Sequence, residues 1–194
     1  MTRLVASRPL REPASLETRR LYLRPWTYDA FLELAQMYSD PRVTRYMSTR
    51  PVSGDEARRF AREASTGAIL QWRTKGYGPW AAFDKISGEW VGKIGLEDLK
   101  GWPAPHNVEI GWELKPSFWG RGLAAEGGLA GLRFGFEECG LERIISVTRR
   151  HHGASRRVME KCGLTFPGTV SWRGVLVVWY ASARPPRPAS PPGS

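Results

Sequence analysis

Cysteine is scarce in this chain: Cys139 and Cys162 are the only two in 194 residues. Two cysteines at that separation build neither the disulfide framework of a small secreted domain nor a zinc site. Histidine is almost as rare, and the adjacent His151 and His152 lack a third ligand at useful spacing, so no metal centre is expected. No apolar run approaches the roughly 20 residues that span a bilayer. The stretch from Met1 to Glu12 carries arginines but no apolar core of a secretory signal. The Gly-Lys-Ser/Thr of a Walker loop and the G-x-G-x-x-G of a dinucleotide fold are both missing, which excludes those phosphate-binding folds. These absences favour a cytoplasmic protein with no membrane partner.

Positive charge is plentiful, at a formal +10 from 29 Lys and Arg against 19 Asp and Glu. Much of the excess is terminal: residues 1–20 hold five arginines against two glutamates, and Arg184 and Arg187 lie near the other end. Such blocks are commonly solvated tails. No helix-turn-helix, zinc-finger or RNP-like pattern converts the charge into nucleic-acid readout. Residues 1–16 read as a flexible N-terminal tail and 183–194 as a Pro/Ser/Arg-rich C-terminal one that cannot form a core. Residues 17–182 then form one domain, without internal repeat or linker.

The middle of the chain alternates between helical and strand spacing. Leu21 to Pro25 reads as a strand. Thr27 is a plausible cap for a helix bearing Phe31, Leu34, Ala35 and Tyr38, which Asp40-Pro41 stops. Ser53 with Glu56 forms a capping-box signal for a second helix that Gly76 closes. Trp80–Asp84, Trp90–Leu96 and Asn107–Leu114 are short strands, the first two joined by the hairpin signal Lys85-Ile86-Ser87-Gly88. A helix from Leu123 to Cys139 follows, with Leu129, Leu132 and Phe136 as its packing residues and Gly127, Gly128, Gly131 and Gly135 implying close approach to a sheet. A strand over Arg143–Thr148, a helix over Ser155–Cys162 and a strand pair over Thr165–Ala183 complete the order. Strands followed by a strand–helix–strand crossover predict an α+β fold with a mixed sheet. Nine tryptophans are many; Trp80, Trp90, Trp102 and Trp112 are candidate walls for a substrate, with at least half of them expected in the core.

The chemistry concentrates in Pro116-Ser117-Phe118-Trp119-Gly120-Arg121-Gly122-Leu123-Ala124-Ala125-Glu126, between a strand and a helix. Glycines there allow backbone N–H groups to converge, and the helix N-terminus adds unpaired donors and partial positive charge. Arg121 adds a full charge, so the segment suits a pyrophosphate. Taken alone, two glycines favour a plain connecting turn.

The loop and three further segments resemble the GNAT superfamily of N-acetyltransferases, in particular its ribosomal-protein alanine N-acetyltransferase-like branch. The family pattern Gln/Arg-x-x-Gly-x-Gly/Ala falls on Trp119, Gly122 and Ala124, and the branch's Trp-Gly-Lys/Arg-Gly-x-Ala-x-Glu run on Trp119 to Glu126. Val108 to Leu114 resembles the family's fourth strand, and Ser155 to Phe166 its Ser-x-x-hydrophobic-hydrophobic-Glu-Lys-x-Gly-Phe segment. Trp172-Arg173-Gly174 and Trp179-Tyr180 also fit. The likeness spans about residues 17–182.

The resemblance implies a GNAT-like, largely antiparallel mixed sheet of about seven strands, with splayed central strands and flanking helices. It implies acetyl-CoA as co-substrate, held by Trp112, Glu113, Leu114, Trp119, Gly120, Arg121, Gly122, Leu123, Ala124, Ala125 and His152. The implied activity is transfer of acetyl to a primary amine, on a protein N-terminus or a small molecule, by direct attack through a tetrahedral intermediate. That chemistry needs a base, a stabilised oxyanion and an acid for the leaving thiolate. Glu109 is the candidate base, and Glu97 and Asp98 are alternatives that could hold a basic substrate. Where the family often places a tyrosine acid, none lies between Arg149 and Cys162; Ser155, Tyr180 or solvent stand in its place. Ser155 reads equally well as a helix cap.

His152 occupies the position of an asparagine that contacts pantetheine in the branch. Histidine can donate a hydrogen bond there and brings a near-neutral pKa. The departure also fits a second reading, a catalytically weak CoA-binding sensor or interaction module; the basic charge fits a third, a ribosome- or RNA-associated protein. A monomer and a homodimer are both compatible with the family.

Overall fold

The structure is a computed structural model and describes residues 12–47 and 52–184. The expected tails therefore fall largely outside the described residues. In chain order the elements are β1 (Leu16–Glu17), β2 (Leu21–Pro25), a single 3-10 turn, α1 (Phe31–Tyr38), α2 (Pro41–Thr44) and α3 (Gly54–Lys75). Then follow β3 (Pro79–Asp84), β4 (Trp90–Asp98), β5 (Val108–Leu114), a 3-10 turn over Pro116–Phe118, and α4 (Leu123–Glu137). The chain continues through β6 (Arg143–Arg149), α5 (Gly153–Lys161), β7 (Thr165–Trp172) and β8 (Val175–Ala183). The strands form one 8-stranded sheet in the order β1-β2-β3-β4-β5-β6-β8-β7. The strand beyond the expected count is β1. Ala14, just before it, accepts the Trp80 indole N–H at 2.7 Å, so part of the segment read as a tail is tied to the core.

All neighbours are antiparallel except β5 and β6, which run parallel because α4 crosses between them. That junction is where the sheet opens. β4 and β5 are in register from Gly92↔Leu114 to Asp98↔Val108, whereas β5 and β6 share the single pair Glu109↔Ile145. Beyond Glu109 the edge of β5 facing β6 has no registered strand partner among the described residues.

Local signals account for most boundaries. The Ser53–Glu56 capping box is formed in both directions, and Gly76 ends α3 in the left-handed region at φ 74°. Asp40 ends α1 but also caps α2, accepting the Arg42 N–H at 2.8 Å. Two expected caps are not made. Thr27 forms no side-chain cap, and Ser155 lies inside α5, where His152 is the capping residue.

The core lies against both faces of the sheet. α4 packs through its glycines, and Leu129, expected to pack, is 47% exposed. A Cβ on Gly131 would lie 2.7 Å from Ile110 Cδ1, and one on Gly135 2.6 Å from Ile144 Cδ1. The sheet isoleucines fill the space that α4 side chains would need. Trp72, Trp80 and Phe134 close this layer with ring centroids 5.2–6.0 Å apart. A second cluster on the opposite face joins Trp102 to Trp172 and Trp179, beside Ile145 and Val177. Of the four tryptophans considered as substrate walls, Trp80, Trp90 and Trp102 are buried core, and only Trp112 reaches the cleft.

Candidate active site

A cleft of about 660 Å³ passes through the opening between β5 and β6. On its α4–α5 side the lining includes Trp112, Leu123, Ala125, Ser146 and Ser155; on the other side it includes Gly95, Glu97, Glu109, Gly111 and Val147. The alternation of β5 creates this division. Ile110, Trp112 and Leu114 turn toward α4, and Glu109, Gly111 and Glu113 turn away.

The α4 entrance follows from the loop chemistry. Gly120 and Gly122 have φ of 75° and 78°, values that L side chains rarely adopt. Gly122 is the N-cap of α4 and brings no side chain to satisfy the first turn, so the Leu123, Ala124 and Ala125 N–H groups remain orphan donors at the positive end of the helix. Trp119 lies across the entrance, 46% exposed, its indole N–H donating to the Leu114 carbonyl at 2.7 Å. Arg157 and Lys161 on α5 add cations to the rim. Orphan donors, a glycine cradle and a cationic rim fit a pyrophosphate, and the opened sheet fits an extended arm behind it.

Not every expected phosphate contact is in place. Arg121 does not line the cleft, and its guanidinium lies 5.1 Å from the Phe118 ring centroid. The loop is instead latched by Arg20, which sequence patterning did not single out. Its Nε donates to Glu126 Oε2 at 2.7 Å and its Nη1 to the Arg121 carbonyl at 2.7 Å. Thr18 Oγ1 and the Arg20 N–H both donate to Glu126 Oε1. Burial raises the Glu126 pKa, but the Thr18 and Arg20 hydrogen bonds outweigh it and leave the carboxyl below its ordinary range.

Across the sheet lies a charged floor. Register pairs Lys93↔Glu113, Gly95↔Gly111 and Glu97↔Glu109 put three carboxylates and one lysine on a single face, around a bare glycine pair. The Lys93 ammonium, only 8% exposed, reaches Glu97 at 3.1 Å and Glu113 at 3.5 Å. Burial works against that charge, but Glu113 and Glu97 hold its pKa well above the ordinary value. The buried Tyr38 hydroxyl donates to Glu113. Burial and the adjacent carboxylate keep that phenol well above its usual range, so it remains a donor.

Among the described residues Glu109 has no such cation in contact. Its Oε1 accepts the Val147 N–H at 2.8 Å across the opening, and its carboxyl lies over Gly111, 3.9 Å from where a Cβ would stand. Burial raises its pKa to about 8, with the Val147 hydrogen bond acting against the shift. A carboxylate of that basicity takes a proton readily near neutral pH.

The remaining candidates are placed differently from one another. Ser155 lines the cleft, and its hydroxyl makes no hydrogen bond among the described residues. Tyr180 does not line it: its buried hydroxyl donates to Glu160 and accepts from Arg156, each at 3.1 Å. Asp98 is likewise outside, accepting from Tyr77 at 2.7 Å. His152 lines the cleft and stacks on Tyr46 at a centroid distance of 3.6 Å. Its Nδ1 accepts the Ser155 N–H at 3.3 Å, which puts the proton of the neutral ring on Nε2. Burial, with Arg45 and His151 nearby, lowers its pKa to about 4.

This arrangement is that of an acyltransferase, and the comparisons with known proteins identify the class. Residues 20–165 match the family model for the acetyltransferase (GNAT) domain, so the chain belongs to the GNAT acetyltransferase family. It is thus an acetyl-CoA-dependent acetyltransferase. The chain is 33% identical over 157 residues to an Aspergillus fumigatus protein, FsC-acetyl coenzyme A-N(2)-transacetylase, with 78% of this chain aligned, and it spans 65% of that relative's length. It resembles a solved acetyltransferase from Agrobacterium tumefaciens with a TM-score of 0.73 at 24% identity, covering 94% of this chain and 98% of the other. It also shares its fold with the ribosomal L7/L12 alpha-N-protein acetyltransferase RimL in complex with coenzyme A, at a TM-score of 0.68 and 20% identity, covering 88% and 98%.

Proposed function

We propose that the chain moves acetyl from acetyl-CoA to a primary amine, with Glu109 as the base. The observation carrying this reading is the Glu109 carboxyl in the opening between β5 and β6, beside the side-chain-free surface of Gly111. The α4–α5 side would hold acetyl-CoA through Leu123, Ala124 and Ala125 N–H groups, with Trp112, Leu114 and Trp119 along the arm. The amine would enter from the carboxylate side, where Glu97 and Glu109 favour a cationic nitrogen. Glu109 takes its proton, the neutral nitrogen bonds to the acetyl carbon, and the carbon–sulfur bond breaks after the tetrahedral stage. An unpaired N–H on the β6-facing edge of β5 stabilises the developing oxyanion. Ser155, which lines the cleft, would return a proton to the leaving thiolate, in place of the tyrosine missing from α5.

Neither cysteine forms a disulfide among the described residues, which suits a reducing cytoplasm. The test is turnover of acetyl-CoA with a panel of amines and N-terminal peptides, followed by thiol release. Cofactor binding without acetylation of any amine would overturn the reading in favour of a binding module.

A further inference from the structure

The mouth of the cleft on the carboxylate side carries arginines that the proposed chemistry does not use. Arg149, on β6, is two residues past Val147 on the same strand face, about 7 Å along the opening from the Glu109 hydrogen bond. It is half-buried and lines the cleft, and its Nε donates to the Tyr46 carbonyl at 3.0 Å. That bond leaves the terminal nitrogens uncommitted. Arg173, on the β7–β8 turn, lies 4.5 Å from the Trp172 ring centroid and donates to the Lys100 carbonyl at 3.4 Å. Arg45 lies 4.6 Å from the Tyr46 ring centroid.

None of these three has a carboxylate partner among the described residues. Several other cations of the fold are ion-paired, among them Arg20 with Glu126, Arg42 with Asp40, Lys85 with Glu17, Lys93 with Glu97 and Lys115 with Glu33. Arg45, Arg149 and Arg173 are held by rings and carbonyls, which fixes a guanidinium without neutralising it. A pre-positioned planar cation of this kind is suited to a carboxylate arriving with the ligand. The acidic floor and basic mouth therefore present opposite charges to the two ends of one molecule.

We infer that the acetyl acceptor is an amine that also carries a carboxylate, its nitrogen directed to Glu97 and Glu109 and its carboxylate to Arg149, with Arg173 contributing at the rim. This rests on the acceptor entering from the Glu109 side, as proposed above. It deepens that reading by giving the arginine mouth a selective role.

The test compares matched pairs differing in a carboxylate: alanine against alaninamide, and the dipeptide amides Ala-Glu against Ala-Gln. Each is measured twice, as an acceptor with acetyl-CoA and as a calorimetric ligand of the CoA-bound protein. The carboxylate-bearing member of at least one pair is expected to bind and react about tenfold better, chiefly through KM. Arg149→Met should bring that ratio close to one, Arg149→Lys should restore part of it, and Arg173→Ala on the exposed turn should lower it about threefold. The first pair reports a free amino acid and the second an acidic peptide N-terminus. Equal affinity within both pairs, or no binding by any member, overturns the inference. So does a rise in the acetyl-CoA KM of Arg149→Met with the preference intact, which would assign the arginine to the cofactor. A binding preference without turnover supports it while overturning the transferase reading.

Discussion

The Glu109 carboxylate accepts the Val147 N–H at 2.8 Å across the gap where β5 and β6 part. The bond joins the last registered pair of those strands to the first residues of the opening. It places the one floor carboxylate not held by Lys93 at the centre of the cleft. Its basicity, raised by burial to about 8, makes it the group whose ionisation should control the reaction.

Glu109→Gln is expected to lower kcat by a factor of about 10² to 10⁴, the usual contribution of a general base. In the wild type, kcat/KM should climb as pH rises through about 8, since only the carboxylate accepts a proton. That limb should vanish in the variant. The stability effect has the opposite sense. A carboxyl whose folded pKa exceeds its unfolded value supports the native state fully below about 4.5, and this support fades as pH rises through about 8. Glu109→Gln should therefore raise Tm more at pH 9 than at pH 5 in thermal unfolding.

Lys93→Met should be strongly destabilising, by about 3–5 kcal/mol, because it leaves Glu97 and Glu113 without their shared buried cation. Urea unfolding at pH 7 measures this. The double variant Lys93→Met, Glu97→Gln should recover part of the loss.

Arg20→Ala removes the latch on the α4 loop without touching the cleft. The acetyl-CoA KM is expected to rise about tenfold, equivalent to about 1.4 kcal/mol, with kcat little changed. An unchanged KM would show that the loop holds its shape unaided.

His152 caps α5 and is neutral across the physiological range. His152→Ala should cost about 1 kcal/mol as a lost cap, whereas His152→Asn, which can accept the same Ser155 N–H, should stay near wild type. Neither should alter the pH profile between 5 and 7, because burial already keeps the ring deprotonated there.

Gly95→Ala should cost about 3 kcal/mol or more, since its Cβ would meet Pro79 Cα at 2.6 Å and the Gly78 carbonyl at 2.8 Å, both backbone. Gly76→Ala, with open space around it and φ 74°, should cost only about 1–2 kcal/mol. Gly95 also has a positive φ, 154°, so chemical denaturation of the two variants measures what crowding adds to backbone strain.

Much of this molecule was legible in the order of its residues, because the relevant signals act within a few positions. The Ser53–Glu56 box, Gly76, the 120–122 turn and the alternation of Val108–Leu114 each set a local backbone state, and α3, α4 and β5 lie close to where those signals put them. The strand-to-helix loop also carried the family likeness, since the glycines and helix donors that cradle a phosphate are neighbours in sequence. Alternation placed Glu109, Gly111 and Glu113 on one face. It could not say that Lys93, Gly95 and Glu97 would lie opposite them, because register is fixed by the whole sheet. Only tertiary structure decided that Arg20 reaches Glu126 106 positions away, that Glu109 reaches Val147 across a gap, and that Tyr180 belongs to Glu160 and Arg156 instead of the cleft. The close approach of the α4 glycines to the sheet was legible, but only the packing decided that Ile110 and Ile144 would fill the space beneath them and that Leu129 would be exposed. Local chemistry chose the elements, and the opening of one parallel strand pair, with the pairings it forced on distant charges, made the site.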